Sequence, residues 1–113
     1  MRKLAVAISL YFALSSAGHA GQDRFCLAFS FAQRVTYITE PFTSRAPQGD
    51  AEAYFGHQLH AALITFDAVQ CPAPESDAAT AASLTTARSF NAGMGFKIRT
   101  LRFAGNQLVL SRR

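Results

Sequence analysis

The first twenty residues have the three parts of a secretory signal peptide. Positive charges at the start precede an apolar run over residues 4–14, and small residues then lead up to Ala20. This run is shorter than the about 20 apolar residues that a membrane span needs, so we expect residues 1–20 to be removed on export. Cleavage is expected after Ala20, with Ala17 as the alternative. The chain is therefore expected to fold outside the cytoplasm as residues 21–113, with no membrane span left after processing.

The remaining length suits a single domain with one small core. The chain has ten phenylalanines and no tryptophan. Its helical-looking segments are rich in alanine, which predicts bulky aromatic side chains packed against small aliphatic ones. Domains of this size are often only marginally stable, so a covalent cross-link contributes strongly.

Cys26 and Cys71 are the two cysteines of the chain. An exported chain meets an oxidising environment, so we predict that they form a disulfide bond that closes the domain. Loss of chain entropy in the unfolded state gives such a bond roughly 4 kcal/mol of stabilisation. The alternatives are a redox pair and half of a metal site. The two cysteines are too far apart to form a Cys-x-x-Cys motif, which favours the structural bond.

The first half of the mature chain is predicted to form a hairpin followed by a helix. Residues 25–31 alternate with period two, and the β-branched and aromatic run 35–39 follows, as is typical of paired strands. Asp50 is predicted to cap the helix. Its core positions recur at three- and four-residue spacings: Phe55, Leu59, Ala62, Leu63 and Phe66. Residues 65–71 are interpreted as a short strand, with a continuation of the helix as the alternative.

The second half is predicted to form a helix followed by a second hairpin. An alanine-rich helix is expected from Ser76 to about Phe90. Strand propensity then returns over residues 96–103 and 107–110, which a tight turn at Gly105 joins. The predicted fold is therefore α+β. It is a small two-layer domain whose mostly antiparallel sheet combines the two hairpins with a possible short strand and carries both helices on one face.

Charge is distributed unevenly along the chain. Loss of Arg2 and Lys3 with the signal peptide lowers the formal net charge from +4 to +2. All seven acidic residues precede residue 78, and the segment after it is purely basic: Arg88, Lys97, Arg99, Arg102, Arg112 and Arg113. Such an asymmetry indicates either an interaction surface or a solvated edge.

A candidate anion-binding strip consists of Lys97, Arg99, Arg112 and Arg113. Its expected partner is an anionic envelope polymer or an acidic protein; nucleic acid is not expected. The alternative is that these charges keep an edge hairpin soluble and prevent it from pairing with another sheet. On a strand, Lys97 and Arg99 share one face while Arg102 points to the other, which argues against a single continuous patch.

Metal and catalytic sites find little support in the sequence. His57 and His60 lie three residues apart on a predicted helix, but no third ligand is evident and the glutamate of the zinc-protease helix signature is absent. The serines lack a Gly-x-Ser-x-Gly elbow, and bonded cysteines cannot act as nucleophiles. Asp50 and Glu52 lie in the first turn of a helix, where acidic residues are favoured electrostatically. We therefore expect no catalytic residues, no bound metal and no cofactor.

A strand, helix and strand pattern occupies part of the second half of the chain. Its positions are Val69, Gln70, Ser76, Ala79, Gly95, Phe96 and Ile98. The pattern resembles one half of the SPOR domain, which binds peptidoglycan, although the leading hairpin departs from the order of elements in that domain. The resemblance implies an envelope polymer as ligand.

These observations predict a small exported protein, periplasmic or secreted, that binds an unknown partner and catalyses nothing. One alternative is a module for an anionic envelope polymer or peptidoglycan that uses the basic strip. A small secreted hydrolase is the remaining alternative.

Overall fold

The computed structural model describes residues 23–111. The predicted signal peptide, residues 1–20, and the terminal Arg112 and Arg113 lie outside the described residues. Within that range the chain forms a five-stranded sheet, a two-stranded sheet and two helices. None of the helices in residues 23–111 has the length and apolar character to cross a membrane. The predicted α+β class is confirmed.

The elements alternate between hairpins and helices along the chain. In order they are β1 (Asp23–Arg24), β2 (Leu27–Ser30), β3 (Val35–Thr39), β4 (Phe42–Thr43), α1 (Gln48–Ala61), β5 (Ala68–Gln70), α2 (Asp77–Gly93), β6 (Lys97–Ala104) and β7 (Gln107–Leu110). The main sheet has the strand order β5-β2-β3-β6-β7, while β1 pairs with β4 separately. Every neighbouring pair in the main sheet is antiparallel except β3 and β6, which are parallel and join the two hairpins. The prediction of a mostly antiparallel sheet with a short strand between the helices is confirmed.

The two helices lie on opposite faces of the main sheet. On one face, α1 and the sheet share a core of Cys26, Ala28, Ala51, Phe55, Leu59, Cys71, Leu101 and Leu108. On the other face, Leu84 and Ala87 of α2 pack against a cluster of Phe25, Leu27, Ile38 and Ile98. Consecutive strand residues point to opposite faces, so Leu27 and Ala28 bury two separate surfaces. The expected two-layer arrangement with both helices on one face is therefore wrong, because both faces of β2 are apolar and each needs a cover.

Helix α1 starts and ends earlier than predicted. Its N-cap is Pro47, which makes no side-chain capping hydrogen bond, and Asp50 lies in the first turn instead. There its carboxylate is favoured by the positive end of the helix dipole. The helix ends before Ala62, and Leu63 has a φ of 62° and is 92% exposed. The predicted core positions Ala62 and Leu63 are therefore wrong, whereas Phe66 does pack against the core.

Helix α2 begins where predicted and ends later. The Ser76 hydroxyl accepts a hydrogen bond from a first-turn amide. The helix continues to Gly93 because Asn91 is buried inside it instead of ending it. The Asn91 side chain donates to the Ala87 carbonyl at 2.8 Å and accepts from the Thr36 hydroxyl at 3.1 Å. This contact fastens the end of α2 to β3.

The predicted disulfide between Cys26 and Cys71 is confirmed. The sulfur atoms are 2.06 Å apart, the Cα atoms are 4.2 Å apart, and both residues are fully buried. The bond joins the residue before β2 to the residue after β5, so it ties the edge strand to the centre of the α1-side core.

Candidate functional site

An apolar groove lies between α2 and the edge strand β5. Helix α2 packs mainly over β6 and β1, and no other element of residues 23–111 covers the sheet surface beside β5. The groove has a volume of about 630 Å³. Its floor is formed by Leu27, Phe29 and Gln70, and its wall by Ala82, Thr86 and Phe90. Cavities of this size and lining are typical of ligand-binding sites.

The groove exists because one row of α2 carries mainly small side chains. Ala82, Thr86 and Phe90 recur every four residues, so they lie along one line of the helix surface. The bulkier Leu84 points into the core instead. Helix α2 therefore packs close to the centre of the main sheet, and the groove remains between the helix and the edge strand β5.

Exposed aromatic side chains extend the apolar surface at one end of the groove. Phe29 stacks on Phe31 with their ring centroids 6.2 Å apart, and Phe31 meets Phe96 edge to face at 6.3 Å. The Arg34 guanidinium lies 5.4 Å from the Phe96 ring centroid. Phe31 and Phe90 are 57% and 64% exposed. Contiguous exposed apolar surface of this kind marks interaction sites in exported and cytoplasmic proteins alike.

Acidic side chains lie near both ends of the groove. The Asp67 carboxylate accepts a hydrogen bond from the Phe31 amide at 2.8 Å, beside the aromatic end. The Glu75 carboxylate accepts one from the Ser83 hydroxyl at 3.3 Å, and Ser83 lines the groove. Both acids are exposed. Their charges favour a positively charged flank on whatever occupies the groove.

The described part of the basic strip, Lys97 and Arg99, lies on the other side of the main sheet. Lys97 and Arg99 are exposed on the same face of β6 as Leu101, which packs in the α1-side core. Arg102 points to the opposite face. Neither Lys97 nor Arg99 forms a side-chain hydrogen bond or ion pair with any residue from 23 to 111. The two side chains share one face of β6, and anion binding by them stays a prediction.

The C-terminal part of the strip, Arg112 and Arg113, lies outside the described residues. The last described residue, Ser111, donates its amide to the Thr100 carbonyl at 2.8 Å. Strand β7 pairs with residues 101–104, so within residues 23–111 no strand pairs with Lys97 or Arg99 on that side of β6.

The two histidines of α1 form no metal site in the described part of the chain. His57 and His60 are both exposed, and the His60 ring stacks on Phe66 at 5.1 Å. Residues 23–111 contain no group of three or more side chains placed to hold a metal ion.

A buried arginine beside the disulfide was not found by sequence reasoning. Arg24 is 1% exposed and donates to the carbonyl oxygens of Ala46 at 2.7 Å and Cys71 at 3.3 Å. Its Nε has no partner among the described residues. Burial lowers the pKa of the Arg24 guanidinium, and the charge of Glu52 offsets part of this effect. The Glu52 carboxylate accepts a hydrogen bond from the Cys71 amide at 3.1 Å. The backbone amide and carbonyl of Cys71 are therefore bound by Glu52 and Arg24, respectively.

No protein-family model, curated protein or solved structure matches the chain. The resemblance to half of a SPOR domain therefore stays a prediction.

Proposed function

We propose that this chain is an exported binding domain, periplasmic or secreted, that takes an apolar segment of a partner protein into the groove beside α2 and catalyses no reaction. Export is supported by the leader in residues 1–20 and by the buried disulfide, since such bonds persist in oxidising compartments. The observation that carries the binding function is the groove itself, with its apolar floor and its exposed phenylalanines.

The energetics of the groove favour an apolar occupant. Phe29 on the floor is half-buried and Phe90 on the wall is 64% exposed, and covering such apolar surface contributes about 25 cal/mol per Å². Phe90 adds an exposed aromatic side chain on the backbone of a helix, so a partner gains contact area without ordering any further backbone of this chain. Asp67 and Glu75 at the ends of the groove favour a segment with basic flanks over an acidic one.

Selection from an unbiased displayed-peptide library tests this proposal. Thr85 and Thr86 are adjacent, equally exposed threonines of α2, but Thr86 alone of the two lines the groove. Peptides selected on the parent protein are expected to lose binding to Thr86→Trp, whose ring fills the groove, and to keep binding to Thr85→Trp. Selected peptides that bind both variants as they bind the parent would refute a groove-based function.

The basic strip supports a second candidate function, the binding of an anionic envelope polymer or of peptidoglycan. The specific observation in its favour is that Lys97 and Arg99 are exposed on one face with no described acidic partner. Two exposed cations side by side with no described carboxylate beside them attract anions.

Retention on phosphocellulose tests the second candidate. Retention is expected to fall steeply between low and moderate salt, and Arg99→Glu is expected to lower it far more than Arg102→Glu, which changes the same charge on the opposite face. Equal effects of the two substitutions would mean that retention reports net charge alone and that the strip is only a solvated edge.

A further inference from the structure

We infer that the partner segment binds in the groove as an extra strand, paired with the outer edge of β5. This inference rests on the proposed groove function and specifies how the groove is used. Strand β5 is the last strand of the main sheet on its side, and the groove floor continues directly up to it. An extended segment laid there would contact the apolar floor and the strand edge at once.

The hydrogen-bond pattern shows which backbone groups of β5 face outwards. The Cys26 carbonyl accepts the Thr39 amide, so the backbone groups of Cys26 point towards β3 and those of Leu27 and Phe29 point towards β5. The Phe29 carbonyl does accept a bond from the β5 side, from the Asp67 amide at 2.7 Å.

Ala68 and Gln70 therefore pair inwards with β2, and the amide and carbonyl of Val69 face outwards. Since β5 forms the edge of the sheet in the described chain, these two groups are available to a partner backbone. A ligand residue that donates its amide to the Val69 carbonyl and accepts from the Val69 amide therefore fixes the register of the added strand.

This register determines which ligand side chains enter the groove. Directly opposed residues of paired strands point to the same face, and Val69 points to the α1 side of the sheet. The ligand residue opposite Val69 therefore points away from the groove, while its two neighbours point to the groove side of the sheet, next to Ala68 and Gln70 of β5. The ligand class is an extended segment with apolar residues at alternate positions.

Charge sets the flanks of the segment and disfavours a second copy of this chain. Asp67 and Glu75 bracket β5, whereas the Arg34 guanidinium is directed to the Met94 carbonyl and the Phe96 ring, so basic residues on either side of the apolar pair are attracted. The β5 edge of another copy carries the same acids and is repelled. A partner chain with basic flanks is therefore the occupant that the surface fits.

A lysine-flanked heptapeptide, in which two isoleucines alternate with three threonines, is the probe. Its central threonine would oppose Val69 and its isoleucines would enter the groove. Methylation of the central amide nitrogen removes the donor to the Val69 carbonyl, and we expect it to weaken binding by about tenfold. Methylation of a neighbouring isoleucine nitrogen, which faces solvent, is the matched control and is expected to change the affinity by less than about threefold. Exchange of the Val69 amide hydrogen should slow when the peptide binds.

The outcomes separate this inference from the groove function on which it rests. Equal effects of the two methylations, or no binding at about 1 mM peptide, would overturn strand addition. Peptides from the unbiased library that depend on Thr86 would still support the groove in that case. A parent protein that sediments as a dimer, and becomes a monomer as Thr86→Trp, would show a second copy in the groove and overturn the inference.

Discussion

Among single residues, Arg24 has the least expected environment. A fully buried guanidinium loses its hydration, and here its hydrogen bonds go to two backbone carbonyls instead of a carboxylate. Glu52 lies close enough to offset part of the effect of burial on the Arg24 pKa. The residue therefore holds the Ala46 loop and the Cys71 segment in place, and the molecule depends on it structurally.

Replacement of Arg24 should destabilise the domain. In Arg24→Met the carbonyls of Ala46 and Cys71 lose their donor, which we expect to lower the free energy of unfolding by about 2–4 kcal/mol in urea titrations. Arg102→Met, at an exposed position, is the control and should change the same quantity by less than about 0.5 kcal/mol. Equal values for the two variants would contradict the structural role of Arg24.

Two glycines near the end of α2 should respond oppositely to alanine. Gly95 has a φ of 91°, and an added Cβ would lie 2.7 Å from an Arg34 nitrogen, so Gly95→Ala is expected to cost about 1–2 kcal/mol. Gly93 ends the helix and has nothing within 4 Å of an added Cβ, so Gly93→Ala should stabilise by about 0.4–1 kcal/mol. Thermal unfolding of both variants measures these two changes in stability. A loss of stability in Gly93→Ala would be inconsistent with its described conformation.

At the scale of elements, the attachment of α2 to the sheet depends on a buried polar contact. Asn91 sits in the last turn, accepts from the Thr36 hydroxyl and donates to the Ala87 carbonyl. Its own carbonyl also accepts the Phe96 amide, which sets the path of the chain into β6. One residue thus orients the helix wall of the groove and the start of the next strand.

A double-mutant cycle should detect this contact. Asn91→Ala and Thr36→Val are each expected to lower the free energy of unfolding by about 1–2 kcal/mol, because each leaves the other polar group buried without its partner. Together they should cost less than the sum, with a coupling of about 1 kcal/mol. Strict additivity would mean that the two side chains do not interact.

Local sequence patterns predicted the elements better than their arrangement. The period-two alternation and the Ser76 cap are local signals, and both the hairpin strands and the start of α2 lie where those signals placed them. The end of α1 depends instead on Leu63 entering a left-handed turn, which helical spacing alone does not reveal. The two helix faces depend on Leu27 and Ala28 burying opposite surfaces, and apolar neighbours in a strand are equally compatible with one covered face.

The candidate site was harder to predict than the fold. The row of Ala82, Thr86 and Phe90 is visible in the sequence, but whether it faces solvent, the core or a groove depends on where α2 crosses the sheet. Lys97 and Arg99 were identified because strand alternation is local. The role of Arg24 had no local signal, since a basic residue before a strand is usually exposed.

For the whole molecule, the disulfide links distant parts of the chain. Cys26 and Cys71 are 45 residues apart, and the bond connects the start of β2 to the end of the neighbouring edge strand β5. It therefore limits how far β5, and the groove beside it, can separate from the rest of the domain.

Removal of both cysteines should lower the stability of the entire domain. The double variant Cys26→Ala and Cys71→Ala is expected to lose about 4 kcal/mol in free energy of unfolding, from the greater entropy of its unfolded chain. Chemical reduction of the parent protein is the control and should give a similar loss. A change of less than about 1 kcal/mol in both would contradict a stabilising role.

The parallel pairing of β3 with β6 has a consequence for how the molecule is assembled. Val35 and Lys97 are neighbours in space, although both helices intervene between them in the chain. Distant partners of this kind meet slowly, because a long loop must close before they gain any contact. A ribosome or translocation channel releases the amino end first. The edge of β3 that pairs with β6 therefore has no partner strand until the β6–β7 hairpin emerges. A nascent chain that pauses before residue 97 is then expected to aggregate through the unpaired edge of β3.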